Sequence, residues 1–156
     1  TTVSRDKRLL LNALVDHRPC EIEVSENLPE RVNVLYQPAD NKIYVRQGTD
    51  AEPLFRGLAQ EIAKVYLKQK NLNCCNSAFT AYSVAYVLCR KNQLSCEAFR
   101  FDRMPAEFGS MDAKSARQEL GTIRRVSNMM IGDMNRVLDA YDRKQPQKQS
   151  TNREER

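Results

Sequence analysis

Histidine is almost missing from this chain: His17 is the only one in 156 residues. Paired imidazoles, the usual ligands of a hydrolytic zinc, are therefore excluded. Ser83 likewise has no histidine near it in sequence to serve as its base, and reads as a small packing residue. Long apolar runs are missing too. Nothing approaches the roughly 20 residues needed to span a bilayer, so no membrane role is expected. The most apolar piece near the start, residues 9–11, is too short for a signal-peptide core. The five cysteines contain no C-x-x-C pair, since Cys74 and Cys75 are adjacent and Cys20, Cys89 and Cys96 stand apart. An odd count without a secretory signal argues for reduced thiols and a cytoplasmic protein. Thr1 rather than Met opens the chain, and the expectation is a piece cut from a longer protein.

What is present is ordinary for a globular domain: 41% hydrophobic and 29% charged residues. The length fits one domain with a core of its own. The net charge is +5, of which +3 falls in residues 143–156. Residues 1–142 then form a single domain of charge near +2, and 143–156 a polar basic tail, read as disordered. That footprint supports at most weak, tail-dependent nucleic-acid binding.

Along the chain, Ser4 is a candidate cap for a helix with Leu9, Leu10, Ala13 and Leu14 on its apolar positions, ended by Pro19. Residues 21–24 alternate as a short edge strand. Residues 31–36 and 42–46 read as two strands joined by the turn chemistry of 37–41, a hairpin. Asp50 caps a helix reaching about Lys70, with Leu54, Phe55, Leu58, Ile62, Val65 and Tyr66 in one stripe. Asn76 or Ser77 starts another, apolar nearly all round and so expected to be buried. Residues 95–108 have no period. Ser110 or Asp112 then opens a long helix whose stripe runs from Ala116 through Leu120, Ile123, Val126, Met130 and Met134 to Val137 and Tyr141. Gly121 and Gly132 favour a break or kink in it. The fold class expected is α+β: a small antiparallel sheet with packed helices.

One constellation carries chemistry. The helix after the hairpin reads Leu58-Ala59-Gln60-Glu61-Ile62-Ala63-Lys64. It resembles the zinc helix of zincin metallopeptidases of the ImmA/IrrE type and of ArdC-like antirestriction and conjugative-element proteins, which reads L-A-H-E-I-A-H. There two histidines one turn apart hold zinc and the glutamate activates water. Here those histidine positions are Gln60 and Lys64, and Glu61 alone remains. The next helix, Ala81-Tyr82-Ser83-Val84-Ala85-Tyr86-Val87-Leu88-Cys89, is similar to the A-E-S-V-A-Y/F-V-V-C segment that supplies a third, acidic ligand. The acidic positions of the family fall at or near Ala78 and Tyr82, and no Asp or Glu occurs between Ile62 and Cys96. The resemblance extends over roughly residues 34–137.

The resemblance implies a zincin-like fold with a degenerate HExxH motif. It implies a vestigial site of Gln60, Glu61, Lys64, Ala78 and Tyr82, with no metal, no cofactor and no catalytic residue. The chain is then a pseudo-peptidase, a binding or scaffold module of a larger bacterial mobile-element protein, with a protein partner or fused domains. Lys64 is expected to pair with Glu61 where a cation once sat, and Tyr82 to face the same cleft. Other readings stay open. Without the resemblance, Gln60 and Lys64 lie opposite the Leu58, Ile62 and Val65 stripe and read as surface residues. A peptidase with unusual ligands would draw on Cys74, Cys75 or His17. A nucleic-acid-binding accessory domain would use the tail with Lys114, Arg117, Arg124 and Arg125. Asp40, Asp50 and Glu52 read as turn and cap residues, and Met104, Met111, Met129, Met130 and Met134 as core fillers. Tyr36, Tyr44, Tyr66, Tyr82 and Tyr86 line either the cleft or the core.

Overall fold

The computed structural model describes residues 5–102 and 104–144. Helix α1 (Lys7–Asp16) is capped by Asp6, whose carboxylate accepts the Arg8 N–H at 2.8 Å; the expected cap, Ser4, lies outside the described residues. Leu10, Ala13 and Leu14 bury one face of α1 against α2 and α5.

Three short strands follow: β1 (Glu21–Val24), β2 (Val34–Gln37) and β3 (Lys42–Val45). Their spatial order is β1-β3-β2. β2 and β3 form the expected antiparallel hairpin, but β1 pairs with β3 in parallel. The sheet is mixed, not antiparallel as expected. Alternation with period two reports which face is buried and is blind to strand direction, so residues 21–24 carried no sign of it. Paired residues share a face, which sets Ile22, Ile43, Tyr36, Val34 and Val45 towards the helices. β2 also starts later than its composition suggests. Arg31 has φ +69°, and the Arg46 guanidinium donates to the carbonyls of Pro29 and Val32 at 2.8 and 3.0 Å. Residues 31–33 therefore curl around Arg46 before the strand begins.

Helix α2 (Ala51–Gln69) is the centre of the molecule. It packs on the sheet, on α1 and on α3, and none of residues 51–67 is exposed. Phe55, Leu58, Ile62 and Val65 are essentially inaccessible, each contributing about 1.5–3 kcal/mol by burial. Pro53 sits in the first turn, where its missing N–H costs nothing. Gly57 has a packing role: a Cβ there would lie 2.6 Å from Val34 Cγ2 and 2.9 Å from Val34 Cβ. Only a bare Cα lets β2 rest on the helix.

Helix α3 (Ser77–Lys91) is capped by Asn76, which accepts the Phe79 N–H at 3.0 Å. It is not buried all round. Thr80, Ala81, Val84, Ala85, Leu88 and Cys89 are inaccessible, whereas Ala78 is exposed and Phe79, Tyr82, Tyr86 and Val87 are half-buried. The aperiodic stretch contains one short turn of helix, α4 (Ala106–Gly109). Helix α5 (Ala113–Lys144) opens at Asp112, whose carboxylate accepts the Ser115 N–H at 2.7 Å. It runs unbroken through Gly121 and Gly132. The glycines cost about 1 kcal/mol each, and the burial of Val126, Met130, Met134 and Leu138 outweighs that. Leu120 and Tyr141, members of the apolar stripe, are exposed. Most of the basic tail, from residue 145 on, lies outside the described residues. No helix among those described is long and apolar enough to cross a membrane.

The two glycine environments give a paired test. Gly57→Ala is expected to destabilise the protein by about 1–3 kcal/mol in urea unfolding through the clash with Val34, despite its better helix propensity. Gly121→Ala, with open space around it, is expected to stabilise by about 0.5–1 kcal/mol. Equal effects from the two would remove the packing role assigned to Gly57.

Candidate functional site

The site begins with the free edge of β2. The Arg46 N–H donates to the Asn33 carbonyl at 2.8 Å. In an antiparallel pair such bonded positions alternate. Asn33, Leu35 and Gln37 thus face β3, and Val34 and Tyr36 turn their N–H and C=O groups outward. The outward Tyr36 N–H is met by α2: it donates to Glu61 Oε1 at 2.9 Å. Glu61 Oε2 is 2.9 Å from Lys64 Nζ, three residues on. Both oxygens of this carboxylate, on a residue only 5% exposed, are engaged. A buried charge needs this satisfaction.

Beside this pair lies a cleft of about 420 Å³ between residues 31–35 and α2, closed on a third side by Tyr82 and Phe99. Gln60, Glu61, Lys64 and Tyr82 all line it. Gln60 and Lys64, opposite the apolar stripe, are half-buried at this cleft. The stripe opposite them faces the core, but the cleft walls cover their own side. Ala78, one turn before Tyr82 on α3, is exposed and does not line the cleft. The Tyr82 hydroxyl accepts the Arg100 N–H, and its ring packs on Phe99 with centroids 5.1 Å apart. Its polar end is thus held by the 95–101 segment and not by Glu61. Arg31 and Arg56 join Lys64 in the lining, so cations outnumber the single carboxylate. Such a wall favours anionic or carbonyl-rich ligands.

The other candidates fall elsewhere. Tyr36 and Tyr44 donate hydroxyls to Asn41 and Asp40 in the β2–β3 turn, at 2.9 and 2.7 Å. The Tyr66 hydroxyl donates to the His17 carbonyl at 3.0 Å. Asp50 caps α2 by position without a side-chain bond, and Glu52 lies 3.5 Å from Lys7 Nζ. Met130 and Met134 are core, whereas Met104 is exposed. Lys114, Arg117, Arg124 and Arg125 are all exposed along α5. His17, Cys74 and Cys75 do not line the cleft. Among the described residues no three His, Cys, Asp or Glu side chains are grouped to hold a metal ion. Cys75 is exposed, and its thiol is raised, first by its hydrogen bond to Glu119. Burial pushes the Cys89 thiol up to about 12.

Sequence reasoning missed Arg31, Arg56, Gly57 and Phe99 as parts of this site. Gly57 alone left a signal, a glycine inside a strong helical pattern, which costs stability unless something packs close to it. No protein-family model, curated protein or solved structure matches this chain.

Two outcomes are expected. Lys64→Met should cost about 1–3 kcal/mol in urea unfolding, because it strands a buried carboxylate. Adding Glu61→Gln to it should recover part of the loss, since an amide oxygen still accepts the Tyr36 N–H. A neutral Lys64→Met would reduce the pair to an ordinary surface contact. In the native protein iodoacetamide should label the exposed Cys75 slowly, because its raised pKa leaves little thiolate near pH 7, and faster as the pH rises, while Cys89 stays unlabelled until the chain unfolds. Early labelling of Cys89, followed by mass spectrometry, would contradict the packing of α3.

Proposed function

We propose that this chain is a non-catalytic, zincin-like domain, a degenerate metallopeptidase acting as a binding or scaffold module within a larger bacterial mobile-element protein. The observation that carries it is the state of Glu61. The carboxylate that would activate water is held by the Lys64 ammonium on one oxygen and the Tyr36 N–H on the other. Lys64 and Gln60 occupy the two helix positions, four apart, at which imidazoles would bind zinc, and neither is an effective ligand. A fixed ammonium in the same space repels a divalent cation. The cleft is left with polar, cationic and aromatic walls, which are binding features. The mobile-element setting comes from the resemblance alone and is an analogy.

The test restores what the site lacks. The 156-residue chain purified without chelator is expected to carry well under one zinc per molecule. Gln60→His with Lys64→His and Tyr82→Glu is expected to acquire zinc at about one per chain while keeping its circular dichroism spectrum. Tyr82 is the position to change, since Ala78 lies outside the cleft. Stoichiometric zinc in the unmodified protein, lost on Glu61→Gln, would sink the reading. So would a folded triple variant with no zinc affinity.

A further inference from the structure

A second concavity lies away from the Glu61 cleft, between α3 and the first third of α5. Its volume is about 530 Å³. Phe79 and Val87 of α3, Leu120 and Ile123 of α5, and Phe101 and Phe108 of the connecting segment line it. The wall is almost entirely carbon. Leu120 is 63% exposed and Met104, at the same trough, 58%. Exposed apolar side chains grouped around one concavity, unlike scattered ones, mark an interaction site. The aromatic floor is pre-arranged: the Phe79 ring stands 4.9 Å from Phe108 and 6.1 Å from Phe101, centroid to centroid. The charged residue in the wall, Glu119, is turned inward, where it accepts the Cys75 N–H at 2.9 Å beside the start of α3.

The rim has one sign of charge along the helices. Arg117 and Arg124 stand three residues before and four after Leu120, so they flank it on the same face of α5, and both are exposed. Arg90 stands one turn beyond Tyr86 and Val87 on α3 and is exposed as well. Acidic Asp102 and Glu107 belong to the connecting segment and leave the two helix borders basic.

We propose that this trough receives one amphipathic helix of a partner protein, apolar on the face that enters and acidic along its flanks. A trough between two helices matches a third helix, roughly 10 Å across, and this is an established mode of peptide recognition. Charge complementarity selects the flanks. It also argues against a second copy of this chain, because pairing two such faces sets Arg117 and Arg124 of one against those of the other. A concave wall is a poor match for a lipid surface, which takes protruding apolar groups. The inference is independent of the reading of the Glu61 cleft.

The experiment uses the full 156-residue chain and two fluorescent helical peptides of about four turns. Both carry Leu and Phe at the i, i+3, i+4 and i+7 positions; one has Glu on its flanks and the other Lys. The Glu peptide is expected to bind at least about tenfold more tightly by anisotropy. Leu120→Glu should abolish that binding with an unchanged circular dichroism spectrum, and Met104→Glu serves the same purpose should the first variant unfold. Arg117→Glu with Arg124→Glu should reverse the preference towards the Lys peptide. Equal binding of the two peptides, or none, would overturn the proposal. Concentration-dependent dimerisation in sedimentation, lost on Leu120→Glu, would assign the face to a second copy instead. Binding to vesicles of anionic phospholipid that requires Leu120 would assign it to a membrane.

Discussion

The edge of β2 rests on helix α2 at two points, and the architecture around the cleft depends on that contact. At one, the bare Cα of Gly57 admits the Val34 side chain. At the other, the Glu61 carboxylate takes up the outward Tyr36 N–H. The first is steric and sets how near the strand lies. The second is electrostatic and sets its register along the helix, since an unpaired edge amide and a buried carboxylate each need a partner. Lys64 balances the charge that this arrangement brings inside. With β2 placed, β3 follows through the hairpin and β1 follows β3.

This contact also explains why the cleft is polar in a molecule whose centre is otherwise apolar. None of residues 51–67 of α2 is exposed, and the polar residues at its middle face the gap between strand and helix. Gln60, Glu61 and Lys64 occupy that gap. An enzyme of the proposed ancestry would place metal chemistry there; this chain places an ion pair tied to the strand edge. Glu61 and Lys64 serve structure here, as an ion pair that also holds the edge amide of Tyr36.

The molecule shows two faces of different character around α3. On one side, Tyr82 and Phe99 close a cleft rich in polar groups and cations. On the other, Phe79 and Val87 join Leu120 and Phe108 in a trough of carbon. The aromatic rings between them are continuous: Tyr82, Tyr86, Phe99 and Phe101 lie within 5.1–5.4 Å of one another in successive pairs. α3 is half-buried on both flanks because each flank borders a concavity.

The elements themselves were legible in the chain. Cap candidates at 76–77 and at Ser110 or Asp112, turn residues at 37–41 and period-3.6 stripes on α2 and α5 are local signals, and each located its element to within a residue or two. The i to i+3 spacing of Glu61 and Lys64 likewise made their pairing readable, because a helix alone brings them together. Beyond the β2–β3 hairpin, which a short turn brings together, the sequence did not disclose how the elements meet. Strand direction leaves no trace in alternation, so the parallel pairing of β1 required the assembled sheet. The helical wheel put Gln60 and Lys64 on a face with no assigned neighbour; only β2 and the 95–101 segment, arriving from other parts of the chain, made that face a cleft. In the same way Leu120 fits the apolar stripe of α5 perfectly well, yet it is exposed. The core that would cover it ends before the helix does, and where a core ends is decided by how all the elements pack together.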